Sequence, residues 1–170
     1  MKHLLKITGF IMAGWLVASC SISYSFSGSM IDYTKITSIS ISDFPNIAQW
    51  VYAPLAQQFT ESLRDKYTRQ TKLSVLREGG DLDLEGEITG YDLMPLAVSE
   101  NTFASQSRLT ITVRVRFTNK TDPDQDFERT FSAKSEFDNA RTIDEVQDEL
   151  CDVIMKEIVD QIYNATVATW

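Results

Sequence analysis

The sequence predicts an α+β fold: a two-layer sandwich with two helices on one face of a mostly antiparallel sheet of four to five strands, in the order β-α-β-β-β-β-α. Three observations carry this reading. Leu109, Ile111, Val113, Val115 and Phe117 alternate with Arg108, Thr110, Thr112, Arg114, Arg116 and Thr118, which requires one buried and one wet face. Two other stretches repeat apolar residues every three or four positions, the period of a helix. Clusters rich in Gly, Pro and Asp punctuate the rest.

The elements follow in chain order. "KITSISISDF" alternates, with Ile39 and Ile41 on one face, and reads as a strand. "NIAQWVYAPLAQQFTESLRDKYTRQT" carries the first helix. Pro54 suits its first turn, where a missing N–H does no harm, and Leu55, Phe59, Leu63 and Tyr67 form its apolar stripe. Ile47, Trp50 and Val51 are expected in a preceding turn packed beneath it. "TKLSVL" is a short strand and "REGGD" a turn. In "LDLEGEITGYDLM", Leu82, Leu84 and Ile88 face one way and Asp83, Glu85, Glu87 and Thr89 the other. The phase breaks near Gly90, so a β-bulge is expected there.

The cleanest strand, "RLTITVRVRFTN", is followed by the turn "KTDPDQ". "DFERTFSAKSEF" then returns with Phe127, Phe131, Ala133 and Phe137 inward. Apolar residues meet apolar ones only if paired residue numbers sum to an even value, and a sum near 244 fits the turn. That register sets Arg116 opposite Glu128 and Arg108 opposite Glu136. Across the preceding pair, Asp83 or Glu85 should meet Arg114 or Arg116. The last element is a long helix opened by a capping box, Thr142 with Glu145. Ile143, Val146, Leu150, Ile154, Ile158 and Ala165 form its stripe, extended by Val153 and Ile162.

The N-terminus has a different character. Lys2, His3 and Lys6 precede an apolar run from Ile7 to Ala18. That run is short for a hydrocarbon core of roughly 30 Å, which takes about 20 helical residues, and suits the apolar part of a secretory signal. It ends at Val17-Ala18-Ser19-Cys20, which resembles a bacterial lipobox. The resemblance implies cleavage between Ser19 and Cys20, a diacylglycerol on the Cys20 thiol and an acylated amine. Two or three acyl chains give durable anchoring. The expected organisation is a signal peptide at 1–19, a Ser-rich lipid-anchored tether at 20–35 and one domain at 36–170. Residue 21 is Ser, not Asp, and by resemblance to lipoprotein sorting rules this favours the inner leaflet of the outer membrane.

Composition narrows the chemistry. The chain has 24 acidic and 16 basic side chains, and removing Lys2 and Lys6 with the signal leaves the body more acidic still. Nucleic acid is not an expected partner. The only histidine, His3, is in the signal, so the mature body has no imidazole for a nucleophile pair or a zinc site. There is no P-loop and no GxGxxG, and no cofactor is expected. Cys151 is the only cysteine besides Cys20, so no intrachain disulfide is expected; it reads as a small packed residue at the edge of the helix stripe. "DLDLE" puts Asp81, Asp83 and Glu85 on one side of a strand, where they would suit Ca²⁺ or a glycosidase carboxylate pair, or simply form a solvated face. No EF-hand loop or cleft marks either chemistry. Trp50 and Trp170 fit an interface or core packing equally well.

Several stretches together resemble one family. "YSFSG" (Tyr24 to Gly28) close behind Cys20, "TSISISDFPNIA", "PLAQQFTESLRDKY", "GDLDLEGEITGYDLMPLA" and "RLTITVRVRFTN" are similar to the Bacteroidota form of LptE, the lipopolysaccharide-assembly lipoprotein. The resemblance covers nearly all of residues 20–170. It implies a non-enzymatic α/β sandwich at the periplasmic side of the outer membrane. Such a protein sits inside and beside a large LptD-type β-barrel, helps that barrel assemble, plugs it and is a candidate binder of lipopolysaccharide. Enteric members usually carry Gly after the lipidated Cys and lack the YSFSG stretch, so the tether here is expected to meet the barrel differently.

The residues offer one surface for such a role. Arg108, Arg114, Arg116 and Lys134 lie on the expected wet face, and Arg is well shaped for phosphate. The plainer reading is cross-strand pairing with Asp83, Glu85, Glu128 and Glu136. Two other functions compete with barrel assembly. One is a periplasmic lipoprotein that binds another ligand or protein through the same face. The other is a carboxylate-based hydrolase, which the lack of a mature His and of an assembled motif disfavours.

Overall fold

The computed structural model describes residues 31–50, 52–96 and 105–167. The signal and lipobox with Ser19 and Cys20, the Tyr24–Gly28 stretch, Val51 and Trp170 lie outside the described residues. Strands β1 (Ser38–Ile41), β2 (Ser74–Leu76), β3 (Leu82–Pro95), β4 (Gln106–Asn119) and β5 (Phe127–Asp138) form one sheet in the order β2-β1-β3-β4-β5. Helix α1 (Leu55–Gln70) follows β1, and α2 (Ile143–Thr166) follows β5. This is the expected element order.

β3, β4 and β5 are consecutive antiparallel strands, whereas β1 runs parallel to both its neighbours. The sheet is therefore mixed. The parallel β1–β2 pair follows from its connection, because a crossover through a helix returns the chain to the same end of the sheet.

The expected registers appear residue by residue. Arg116 faces Glu128 and Arg108 faces Glu136 across β4 and β5. The β3–β4 ladder pairs Ile88 with Val113 and then Gly90 with Thr112, leaving Thr89 as the extra residue of a bulge. That slip lets β3 present Tyr91 inward after Leu82, Leu84 and Ile88.

One face of the sheet is sealed by both helices. Leu109, Ile111, Val113 and Val115 are fully buried, as are Leu55, Phe59, Leu63 and Tyr67 of α1. Helix α2 has the expected Thr142–Glu145 capping box. Its buried face includes Val146, Leu150, Ile154, Ile158 and Ile162, but also Cys151, Met155 and Val159. It is broader than the sequence stripe because α2 packs on α1 as well as on the sheet. Tyr67 and Tyr163 meet edge to face at 5.5 Å, the Tyr67 hydroxyl hydrogen-bonds Thr166, and Lys66 Nζ pairs with Asp160 Oδ1 at 2.6 Å. Val153 falls outside this face and is exposed, contrary to expectation.

The segment before α1 also departs from expectation. Ile47 and Trp50 do not pack beneath the helix; both are exposed. The reason is conformational. Residues 44–48 run extended beside β3, with Asn46 bridged to Ile88 and the Ile47 N–H donating to the Ile88 carbonyl at 2.9 Å. A period of two then turns Phe44 and Ala48 inward and Ile47 outward. The Phe44 ring lies over Gly86, whose missing side chain makes the room, and meets Phe59 edge-on at 5.3 Å. Ile31, inside the stretch read as tether, is buried against the core.

Candidate functional site: the open face of the sheet

The face away from the helices is built by the even-numbered residues of β4 and β5 and, before the bulge, the odd-numbered residues of β3. All four cations expected there are on it. Arg108 donates from Nε and Nη2 to a single Glu136 oxygen, at 3.0 and 2.6 Å. Arg116 donates from Nη1 to Glu85 at 3.1 Å, and its Nε lies 3.8 Å from Glu128. Arg114 is bonded to Glu87, not to Asp83 or Glu85. Lys134 stands opposite Thr110 and makes no ion pair among the described residues.

A shallow depression of about 400 Å³ lies beside the Arg114 and Arg116 pairs, lined by Ser42, Asp43, Glu85, Gly86, Glu87, Arg114, Arg116 and Glu128. Arg114 and Arg116 are thus brought together, while Arg108 stands apart toward the other end of β4, and each of the three already has a carboxylate. Exposed cross-strand pairs of this kind contribute roughly 0.2–1 kcal/mol each, so they hold the face lightly. The Arg114–Glu87 pair was missed from sequence. Opposition across β3 and β4 depends on the hairpin geometry and the bulge, which alternation alone does not fix.

The "DLDLE" carboxylates are occupied by structural work. Asp81 Oδ2 accepts from the Thr37 N–H at 2.8 Å and hydroxyl at 3.1 Å, and from the Ser38 N–H at 3.1 Å and hydroxyl at 2.9 Å. The Thr37 backbone bond and then the Ser38 hydroxyl hold the Asp81 carboxyl below its ordinary range. Asp83 Oδ1 accepts from the buried Ser40 hydroxyl at 2.9 Å. Together the acids tie β3 to both its neighbours: Asp81 and Asp83 to β1 and its approach, Glu85 to β4. Among the described residues, no group of three His, Cys, Asp or Glu side chains is placed to hold a metal ion. Cys151 is fully buried, and that burial pushes its thiol up to about 11, far from a reactive thiolate.

The family follows from the long stretch 36–166 rather than from any one of these residues. The LptE family model, described as lipopolysaccharide-assembly, matches residues 36–166. The chain belongs to the LptE family. Members of this family assemble lipopolysaccharide and are not enzymes, so the carboxylate-hydrolase reading falls. No curated protein matches the chain by sequence.

Solved structures similar to this chain include rare lipoprotein B from Shewanella oneidensis, at 9% identity and TM-score 0.51, covering 76% of this chain and 90% of that one. A minor lipoprotein from Acinetobacter baumannii is 11% identical with TM-score 0.43, over 72% of this chain and 90% of that one. Lipoprotein B from Nitrosomonas europaea is 13% identical with TM-score 0.45, over 75% of this chain and 83% of that one. At such identities only the Shewanella likeness bears on this chain, and it bears on fold alone.

Proposed function

We propose that this chain is an outer-membrane lipoprotein that assists assembly of an LptD-type β-barrel, plugs that barrel from the periplasmic side, and contacts lipopolysaccharide. The observation that carries the reading is the family match across residues 36–166, which spans both helices and the whole sheet. In this reading residues 1–19 are removed, Cys20 carries the acyl chains, and residues beyond it tether one domain within the barrel lumen. Arg108, Arg114, Arg116 and Lys134 are the proposed contacts to lipopolysaccharide or to the barrel. The partners of the three arginines suit that role: an exposed arginine exchanges a carboxylate for a phosphate at little cost, because both accept the same planar fork.

The test is a C-terminal tag, gentle detergent extraction of native membranes and mass spectrometry of what co-purifies. One dominant outer-membrane barrel near equal stoichiometry is expected. A lipidated, folded protein that brings no barrel would leave a periplasmic lipoprotein binding a different ligand through the same face. The anchor is tested separately. Cys20→Ala should release the body from the membrane with its circular dichroism unchanged, and a variant still fully membrane-bound would overturn Cys20 as the attachment point.

A further inference from the structure

The sheet has two edges, and they are built differently. β2 is only 3 residues long. β5 runs unbroken from Phe127 to Asp138, with no glycine, no proline and no shift in its register against β4. A long regular edge strand offers its backbone groups to another chain unless it is shortened, kinked or covered.

The ladder shows which groups are on offer. The Asn139 N–H donates to the Ser105 carbonyl at 3.0 Å, so odd-numbered residues of β4 and β5 turn their N–H and C=O groups toward each other. The even-numbered residues of β5 therefore turn theirs outward. The outward carbonyl of Asp138 accepts from the Arg141 N–H at 3.0 Å, and that of Ser132 from the Gln161 side chain at 3.3 Å. Among the described residues, the outward N–H groups of Glu128, Thr130, Ser132, Lys134 and Glu136 bond to nothing. The same strand carries Lys134, which has no ion pair among the described residues, and a half-buried Phe131 on the helix side.

We infer that β5 pairs antiparallel with β5 of a second copy, about a two-fold axis at Phe131, joining the two sheets into one. Even-numbered residues must stand opposite even-numbered ones, because they carry the outward groups and share the open face. Charge then selects among the registers. With Phe131 opposite its own copy, Lys134 stands opposite Glu128 of the second copy, and symmetry makes that pair twice. A register with Phe131 opposite Ala133 sets Glu128 against Glu136, acid on acid. A register that brings Lys134 to Glu136 takes that acid from Arg108 and needs the occupied Asp138 carbonyl. In the chosen register the odd-numbered pairs are the non-hydrogen-bonded ones, whose side chains approach more closely, so the two Phe131 rings meet at the axis. The Gln161 side chain, on an exposed and long bond, yields the Ser132 carbonyl. The inference does not rest on the barrel reading. Pairing of copies and capture of a barrel are separate measurements, and either can fail alone.

The test is sedimentation of the full chain in mild detergent across a range of concentrations, where a concentration-dependent dimer is expected. Proline is tolerated on an edge strand where the N–H faces solvent, so Thr130→Pro should fold and weaken the dimer at least about tenfold. Lys134→Glu should weaken it about tenfold by setting acid against acid, and adding Glu128→Lys should restore it. The register is read by cross-linking: a mild oxidant should trap Phe131→Cys as a disulfide-linked dimer and leave Ser135→Cys untrapped. A chain that stays monomeric at the highest attainable concentration, a dimer indifferent to Thr130→Pro, or a charge swap that fails to restore pairing would each overturn the inference. So would edge N–H groups that resist deuterium exchange only when a different protein co-purifies, which would give this edge to that protein.

Discussion

The odd-numbered side of β4 buries Leu109, Ile111, Val113 and Val115 completely, while the even-numbered side of the same strand holds Arg108, Arg114 and Arg116 in solvent-exposed ion pairs. One backbone thus carries two kinds of interaction that differ several-fold in energy. Burying a large aliphatic side chain stabilises by about 1.5–3 kcal/mol, and an exposed ion pair by roughly 0.2–1. Stability should therefore reside on the helix-covered side and recognition on the open side, and substitutions should separate the two.

The sharpest way to break that comparison is a deletion on the covered side. Ile111→Ala removes a fully buried side chain from the helix-covered face of the sheet. It should cost about 2–5 kcal/mol, read as a lowered urea midpoint with unchanged slope. A smaller loss would mean that α2 settles into the gap and that the core is less tightly built than its burial implies.

Gly86 tests whether the two sides are really independent, because it joins them. A Cβ at this position would lie 2.5 Å from the Phe44 ring and closer still to the Arg114 carbonyl oxygen. Gly86→Ala should destabilise by about 1–3 kcal/mol through overpacking. Because Gly86 pairs with Val115 between Glu85 and Glu87, the same variant should also disturb the Arg114 and Arg116 pairs. Chemical shifts of the two arginine side chains would show it. Unchanged arginine signals alongside lost stability would mean that the open face is insulated from the core.

Arg116→Ala is the converse. Arg116 reaches both Glu85 and Glu128, so it is the best-connected cation of the open face. Its removal should shift stability by no more than about 1 kcal/mol, yet weaken capture of the barrel or of lipopolysaccharide in the co-purification assay. A large stability loss with binding intact would move the arginines to the structural side of the comparison.

The two sides were also unequally legible in the sequence. Alternation and the short 120–126 turn together constrained β4 and β5, so the Arg116–Glu128 and Arg108–Glu136 oppositions could be read from residue numbers. The bulge was visible because Tyr91 and Leu93 broke the phase set by Leu82, Leu84 and Ile88. The place of β1 between β2 and β3 was not visible, since a four-residue strand encodes a face but not a neighbour. Nor was the true bed of α1. Ile47 and Trp50 are more apolar-looking than Ala48, but the extended path beside β3 exposes Ile47 and buries Ala48. Alternation placed Arg108, Arg114, Arg116 and Lys134 on the open face, while their pairing states depended on geometry that no residue type announces.

The smallest expected effect concerns the β1 end of the sheet, where a carboxylate rather than apolar area joins two strands. Asp81 holds the start of β1 through the N–H and hydroxyl groups of Thr37 and Ser38. These bonds lower its folded value below the ordinary 3.8. A carboxyl lowered on folding contributes stability that is complete above the unfolded value and is lost as pH falls through the folded one. The group is solvent-exposed, so the contribution should be small. Asp81→Asn keeps the shape and removes the charge. Its urea midpoint should nearly match the parent's at neutral pH, and the two should converge further as the pH drops below about 3.8, because the parent loses there what the variant never had. Parallel curves across that acid limb would mean that the hydroxyl clasp works through geometry alone, and that on this side of the sheet, too, charge contributes nothing that apolar packing does not already supply.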